Sequence, residues 1–223
     1  GGLRLEAHNT IPHGKGLGSS ASAIVAGLAL AWGIARPGRD LDLDWLVQIS
    51  SELEGHPDNS SAAVLGGFTL AWDQTRVPGA RAVSLPVVAP VGALALVPDA
   101  ILPTHAARGM LPAEVPHADA ARTAGRAALL CLALTQRADL LWDATEEWLH
   151  QRQRASRMPE SYDLLTALRA DGHAAVIAGA GPTVLVLGPR SELETLADDQ
   201  HPGFRPVLLE IGEGVTLRDR STD

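Results

Sequence analysis

Residues Pro12-His13-Gly14-Lys15-Gly16-Leu17-Gly18-Ser19-Ser20-Ala21 are the stretch of this chain best equipped for chemistry. Three glycines alternate, then two serines open an alanine-rich run from Ala21 to Ala35. Glycine tolerates positive φ and lets backbone approach a ligand closely. Ser19 or Ser20 can cap the helix that follows, and a helix N-terminus offers free N–H groups and partial positive charge. Together these features make a site for phosphate. The spacing is not that of a P-loop, because no Ser or Thr follows Gly14-Lys15. It is not G-x-G-x-x-G either, since the third glycine comes one residue early. Taken alone, the stretch also reads as an ordinary glycine turn before a helix.

Two further stretches join it. Glu54-Gly55-His56-Pro57-Asp58-Asn59 places a carboxylate at a helix end beside polar groups, and Gly179-Ala180-Gly181-Pro182 is a second glycine turn between two apolar runs. Other chemistries find no support. The eight histidines show no H-x-H or H-E-x-x-H spacing, and no G-x-S-x-G elbow occurs. The pair Glu146-Glu147 reads most simply as a solvated helix face.

The elements that must position these residues are legible in outline. Leu3 to His8 alternates like a strand. Residues 19–34 read as the helix behind the glycine loop. Asp42 or Asp44 can cap a helix to about Leu53, with Gly55 at its C-terminal turn and Pro57 blocking continuation. Asp58 or Asn59 can cap a short helix, Ser60 to Leu65, before a strand at Phe68–Trp72. A buried strand is expected at 92–98, and helices at 117–136, 138–151 and 161–170. Strands at 174–178 and 183–187, a helix at 191–199 and a strand at 206–211 complete the pattern. A boundary near Pro90 divides the chain into 1–89 and 90–223. The mixture of elements argues α+β.

Composition narrows the function. The net charge of −8 leaves no broad basic surface for nucleic acid, and no apolar run approaches the roughly 18 residues a membrane span requires. The single cysteine, Cys131, excludes an internal disulfide framework and fits a reducing cytoplasm. It lies in an apolar helical run and reads as packing. Lys15 is the only lysine in the chain.

The ordered set of three motifs resembles the GHMP kinase superfamily and, within it, the homoserine kinase family. The P-x-G-x-G-L-G-S-S-A loop is similar to the superfamily's ATP-phosphate motif; E-G-H-P-D-N and G-A-G-P-T-V are close to homoserine kinases in particular. The resemblance covers residues 3 to about 209. It implies a two-part GHMP architecture, with an N-terminal part like domain 2 of ribosomal protein S5 and a ferredoxin-like C-terminal part. An earlier motif, roughly P-x-S-S-A-N-L-G-x-G-F-D, is not found in this sequence, so the N-terminal part is expected to be incomplete. The implied activity is ATP- and Mg²⁺-dependent phosphorylation of the γ-hydroxyl of L-homoserine, in threonine biosynthesis. A different alcohol acceptor, or a ligand-binding member without turnover, stays open as an alternative. Dimers are common among such kinases.

The resemblance also assigns roles. Pro12, His13, Gly14, Lys15, Gly16, Leu17, Gly18, Ser19, Ser20, Ala21, Gly179 and Gly181 would surround the nucleotide, with Lys15 touching its phosphates. Glu54 would hold Mg²⁺, with Glu52 a weaker substitute and Ser20 adding a hydroxyl. His56, Asn59, Thr104, Arg108 and Arg154 would receive the acceptor. Arginine suits its α-carboxylate, because the guanidinium fork binds both oxygens. The family pattern near Arg154 is H-Q-P-Y-R, whereas this chain has His150-Gln151-Arg152-Gln153-Arg154. Glu54, Asn59 and Lys15 are the catalytic candidates. Asparagine is no proton acceptor, so the resemblance implies no strong side-chain base; Asp58 is expected to cap the following helix.

Overall fold

The computed structural model describes residues 2–100 and 109–218. Its N-terminal part holds three helices, α1 (Ser19–Ala35), α2 (Leu43–Glu54) and α3 (Asp58–Leu65), and an antiparallel pair of strands, β1 (Phe68–Asp73) and β2 (Ala80–Leu85). Helix α1 buries Ala21, Val25, Ala29 and Trp32, a stripe at helical spacing. Val25 meets Leu46 and Val47 of α2, Val64 of α3 and Ala80 of β2 in one apolar cluster. Asp42 caps α2 by accepting a hydrogen bond from Trp45 N at 3.0 Å, and Gly55 closes it at φ 78°.

The C-terminal part is built on a four-stranded antiparallel sheet. In chain order come β3 (Val91–Pro98), α4 (His117–Thr135), α5 (Leu141–Ala144), α6 (Gln151–Arg154), α7 (Pro159–Ala170), β4 (Ala174–Ile177), β5 (Val184–Pro189), α8 (Arg190–Asp198) and β6 (Phe204–Leu209). Short 3₁₀ turns at Ala138–Leu140 and Ala155–Arg157 join α4 to α5 and α6 to α7. The strand order is β4-β5-β3-β6, the ferredoxin-like arrangement. Strand β3 is buried on both faces. Leu94 and Leu96 pack with Val184, Val186, Leu165 and Leu193, while Val91 packs with Leu134, Leu141 and Ala174. The two-residue period of the strand sends these sets to opposite sides of the sheet.

The two parts are joined by backbone as well as by side chains. After β6 the chain returns to the end of α3, where Val215 N donates to Val64 O and Gly67 N to Gly212 O. Among the described residues no helix is long and apolar enough to cross a membrane.

Several sequence expectations need correction. Residues 3–8 form no strand, and Leu3 and Leu5 are 82% and 74% exposed; alternation alone makes no ladder without a partner edge. Neither serine caps α1. Its N-cap is Gly18, in the left-handed conformation and without a side-chain bond. Helix α3 starts two residues earlier than expected, with Pro57 at the cap and Asp58 already helical. The expected helix 138–151 is broken into α5, a reversal and α6. Strand β2 was not foreseen. Cys131 is only half-buried, its Sγ 3.4 Å from Ala127 O.

Candidate functional site

The glycine loop is held in a left-handed rhythm. Gly14, Gly16 and Gly18 have φ of 66°, 77° and 74°, a conformation costly for any residue with a Cβ. The first intrahelical bond of α1 runs from Ser22 N to Gly18 O at 3.0 Å, so the N–H groups of Ser19, Ser20 and Ala21 have no acceptor within the helix. The loop and these N–H groups form a concavity of donors, the arrangement that binds anions. Ala21 is a core residue, 1% exposed, and its apolar side chain offers a ligand no polar group.

The loop is clamped against the second glycine turn. A Cβ on Gly16 would lie 2.2 Å from Ala178 O, and one on Gly179 would lie 3.0 Å from Gly16 O. Thr183 N donates to Lys15 O at 3.3 Å. The contact is backbone on backbone. This is why glycine is required at Gly16, whose positive φ and crowded Cβ direction both exclude a side chain.

Lys15 has partners that its place in the loop did not suggest. Its ammonium is buried and donates to three carbonyls, Pro98 O at 2.7 Å, Asp99 O at 2.6 Å and Ala100 O at 2.6 Å. An ammonium has three protons, and all three are committed to the end of β3. In this arrangement the Lys15 side chain anchors the glycine loop to the end of β3. At the loop's other edge, Ser19 Oγ bonds His13 Nδ1 at 3.0 Å and accepts from Asn9 Nδ2 at 3.2 Å; that pairing draws Ser19 and His13 toward Asn9.

Beside the start of α1 lies a chain of polar groups. Ser20 Oγ donates to Glu54 Oε1 at 2.9 Å. Glu54 Oε2 stands 3.8 Å from His56 Nε2. His56 Nδ1 bonds Asp58 Oδ1, which also accepts from Asn59 N at 2.6 Å. Asp58 therefore orients His56 and the first turn of α3 without capping it. Its side chain is 73% exposed, that of Glu54 11%. Asn59 Oδ1 lies 3.9 Å from where a Cβ of Gly18 would sit, so the polar chain meets the glycine loop there. Glu54 and Ser20 give a carboxylate and a hydroxyl side by side, hard oxygen donors of the kind Mg²⁺ takes. Among the described residues there is no cluster of three or more His, Cys, Asp or Glu that could hold a metal ion.

A cavity of about 460 Å³ opens next to this chain, lined by His56, Asn59, Glu147, Gln151, Arg154 and Gly179 among others. Arg154 is buried and its Nη1 donates to Gly179 O at 3.1 Å, which ties the α6 arginine to the glycine turn. Thr104 and Arg108 lie outside the described residues. Sequence reasoning missed Glu147, Gln151 and Arg126 as cavity residues. Glu147 was read as solvated, yet its carboxylate faces the backbone of residues 149–151. Burial pushes its pKa up, but bonds from His150 and from the backbone N–H groups of Gln151 and His150 more than offset this, and it ends below the usual 4.5. The one sequence signal was a glutamate just ahead of a new helix, where an acceptor for backbone donors is useful.

The family model described as GHMP kinases N terminal domain matches residues 1–67, and GHMP kinases C terminal matches 119–199. The homoserine kinase of Cutibacterium acnes is 47% identical over 215 residues, 96% of this chain and 72% of that protein. The homoserine kinase of Streptomyces coelicolor is 50% identical over 218 residues, 96% of this chain and 70% of that protein. The crystal structure of homoserine kinase from Cytophaga hutchinsonii superposes with a TM-score of 0.78 at 23% identity, over 92% of this chain and 69% of that one.

Proposed function

Since the chain belongs to the homoserine kinase family of the GHMP kinases, we propose that it transfers the γ-phosphoryl group of ATP to the γ-hydroxyl of L-homoserine, giving O-phospho-L-homoserine and ADP, a step of threonine biosynthesis. The observation that carries this reading is a juxtaposition. A concavity of backbone donors, built for phosphate, abuts Asn59, and Asn59 lines a cavity that also contains a buried arginine.

The residues divide the work. The glycine loop and the N–H groups of Ser19, Ser20 and Ala21 hold the phosphates of the nucleotide. The turn at Gly179 and Gly181 braces that loop from behind. Glu54 and Ser20 would hold Mg²⁺, which when bound supplies charge neutralisation for the phosphates. Arg154 faces the α-carboxylate of the acceptor, and His56 and Asn59 its polar groups. As the new O–P bond forms, the bond from the γ-phosphorus to the bridging oxygen breaks and ADP departs. The hydroxyl proton passes late to phosphate or water, because Asn59 cannot take it and Asp58 is turned to His56 and the α3 backbone. Positioning and charge neutralisation can carry most of such a reaction.

The test is ADP release with homoserine, with mevalonate or galactose, and without acceptor. Turnover with homoserine alone supports the reading. Turnover with another alcohol would reassign the acceptor. A folded protein that binds ATP and turns over nothing would make it a ligand-binding member.

A further inference from the structure

The reversal between α5 and α6 is organised by one carboxylate. Helix α5 stops at Ala144, with Thr145 at its C-cap and Thr145 Oγ1 donating to Leu141 O at 2.8 Å. Two residues on, Glu147 Oε1 accepts from Leu149 N at 2.7 Å, from His150 N and from His150 Nδ1 at 2.8 Å. Glu147 Oε2 accepts from Gln151 N at 3.0 Å. Three consecutive backbone N–H groups ahead of α6 thus converge on one side chain, itself only 21% exposed.

What α6 then presents is specific. Gln151 Oε1 accepts from Ile177 N at 2.7 Å, where β4 ends. Three residues later Arg154 Nη1 reaches Gly179 O. Glu147, Gln151 and Arg154 all line the cavity beside Asn59. The position of α6 therefore decides where the guanidinium sits, and the position of α6 is set at its start by Glu147. A carboxylate suits the task. It offers acceptors on both oxygens, whereas a glutamine would turn an NH₂ toward a backbone N–H.

We propose that Glu147 is a positioning residue for the acceptor side of the reaction: by gathering the N–H groups of residues 149–151 it fixes α6, and through α6 it aims Arg154 into the cavity. The proposal rests on reading Arg154 as partner of the acceptor's carboxylate. It leaves the glycine loop untouched, so its signature is one-sided.

The experiment compares wild type with E147Q, E147A, R154A and E147A/R154A. It reads kcat, the KM for homoserine and for ATP, and amide hydrogen exchange at residues 149–151. E147A should raise the homoserine KM about tenfold, the cost of roughly one charge-assisted hydrogen bond, with E147Q in between and the ATP KM unchanged. Amides 149–151 should lose protection. The double variant should bind homoserine no worse than R154A alone, because Glu147 acts through that arginine. A homoserine KM unmoved in both E147A and E147Q, or effects of E147A and R154A that simply add, would overturn the proposal. If wild type does not phosphorylate homoserine, the acceptor reading fails first; unchanged amide protection in E147A would then overturn the placement of α6 as well.

Discussion

Replacing Lys15 by methionine separates two roles that a lysine in a glycine loop could have. Methionine keeps the length of the stem and removes the charge. Three contacts go, at 2.7, 2.6 and 2.6 Å, to Pro98 O, Asp99 O and Ala100 O. Hydrogen bonds to a charged group contribute about 1.5–3 kcal/mol each, so a naive sum exceeds about 4 kcal/mol. Two corrections reduce it. The variant no longer buries an ammonium, which relieves a desolvation cost of several kcal/mol. The contacts to Asp99 and Ala100 are only partly buried, so water can reach those carbonyls. A net loss of about 2–3 kcal/mol remains, the cost of one or two carbonyls left unmet. For a chain of this length each kcal/mol is worth roughly 2–4 °C, so Tm should fall by about 5–10 °C. The assay pairs a thermal melt with calorimetric titration of ATP on the same sample below its transition. The loss should appear in Tm, with ATP affinity changed little. An unaltered Tm together with an ATP affinity weakened about tenfold or more, the value of one lost charge–phosphate contact, would refute the reasoning and return Lys15 to the phosphates.

Gly16→Ala should separate the two glycine turns, since its methyl would sit 2.2 Å from Ala178 O; a cost of about 3 kcal/mol or more and loss of nucleotide binding should both register, the first by denaturant titration and the second by calorimetry. Glu54→Ala should abolish ADP release in a protein that still folds, whereas Asp58→Asn should keep substantial turnover; a dead but folded Asp58→Asn would show that a side-chain base is needed after all. Glu147 also predicts an acid limb. Its pKa is held below the usual 4.5, so its contribution to stability is fully present above that value and disappears as pH falls through the lower, folded pKa. Melting temperature followed from neutral to about pH 3 should therefore decline less steeply in E147Q than in wild type.

Much of the fold was legible because its signals are local. Gly55 and Pro57 bound α2, Gly66 and Gly67 end α3, and β3 is an uninterrupted apolar run; each depends on the chemistry of a few neighbouring residues. The candidate site was legible for the same reason, since glycines that must adopt positive φ stand out in any sequence. What escaped was decided at a distance. Strand β2 buries Ala80 but leaves Val83 exposed, too weak an alternation to announce a strand, and it is paired to β1 with Phe68 opposite Leu85 and Asp73 opposite Ala80. Leu3 to Leu5 shows the converse, a strand pattern without a paired edge. Between α5 and α6 Glu147 turns its oxygens to the backbone N–H groups of residues 149–151, a choice helix propensity does not record. The carbonyl partners of Lys15 were not legible because they lie more than eighty positions along the chain.

The meeting of Gly16 with Ala178, Gly179 and Gly181 has a consequence for how this protein is to be interrogated. Nothing projects across that seam, so there is nothing there to truncate. A scan that trims side chains to alanine removes atoms at most positions but adds one at these glycines, and a map built only from deletions would leave the join blank. The same absence couples the two stretches: an atom gained on one can be accommodated only by a shift of the other's backbone. Heritable change at this spot is confined to paired rearrangement of two loops some 160 positions apart, and sequence variation across related chains should be quiet here even where the surrounding helices drift.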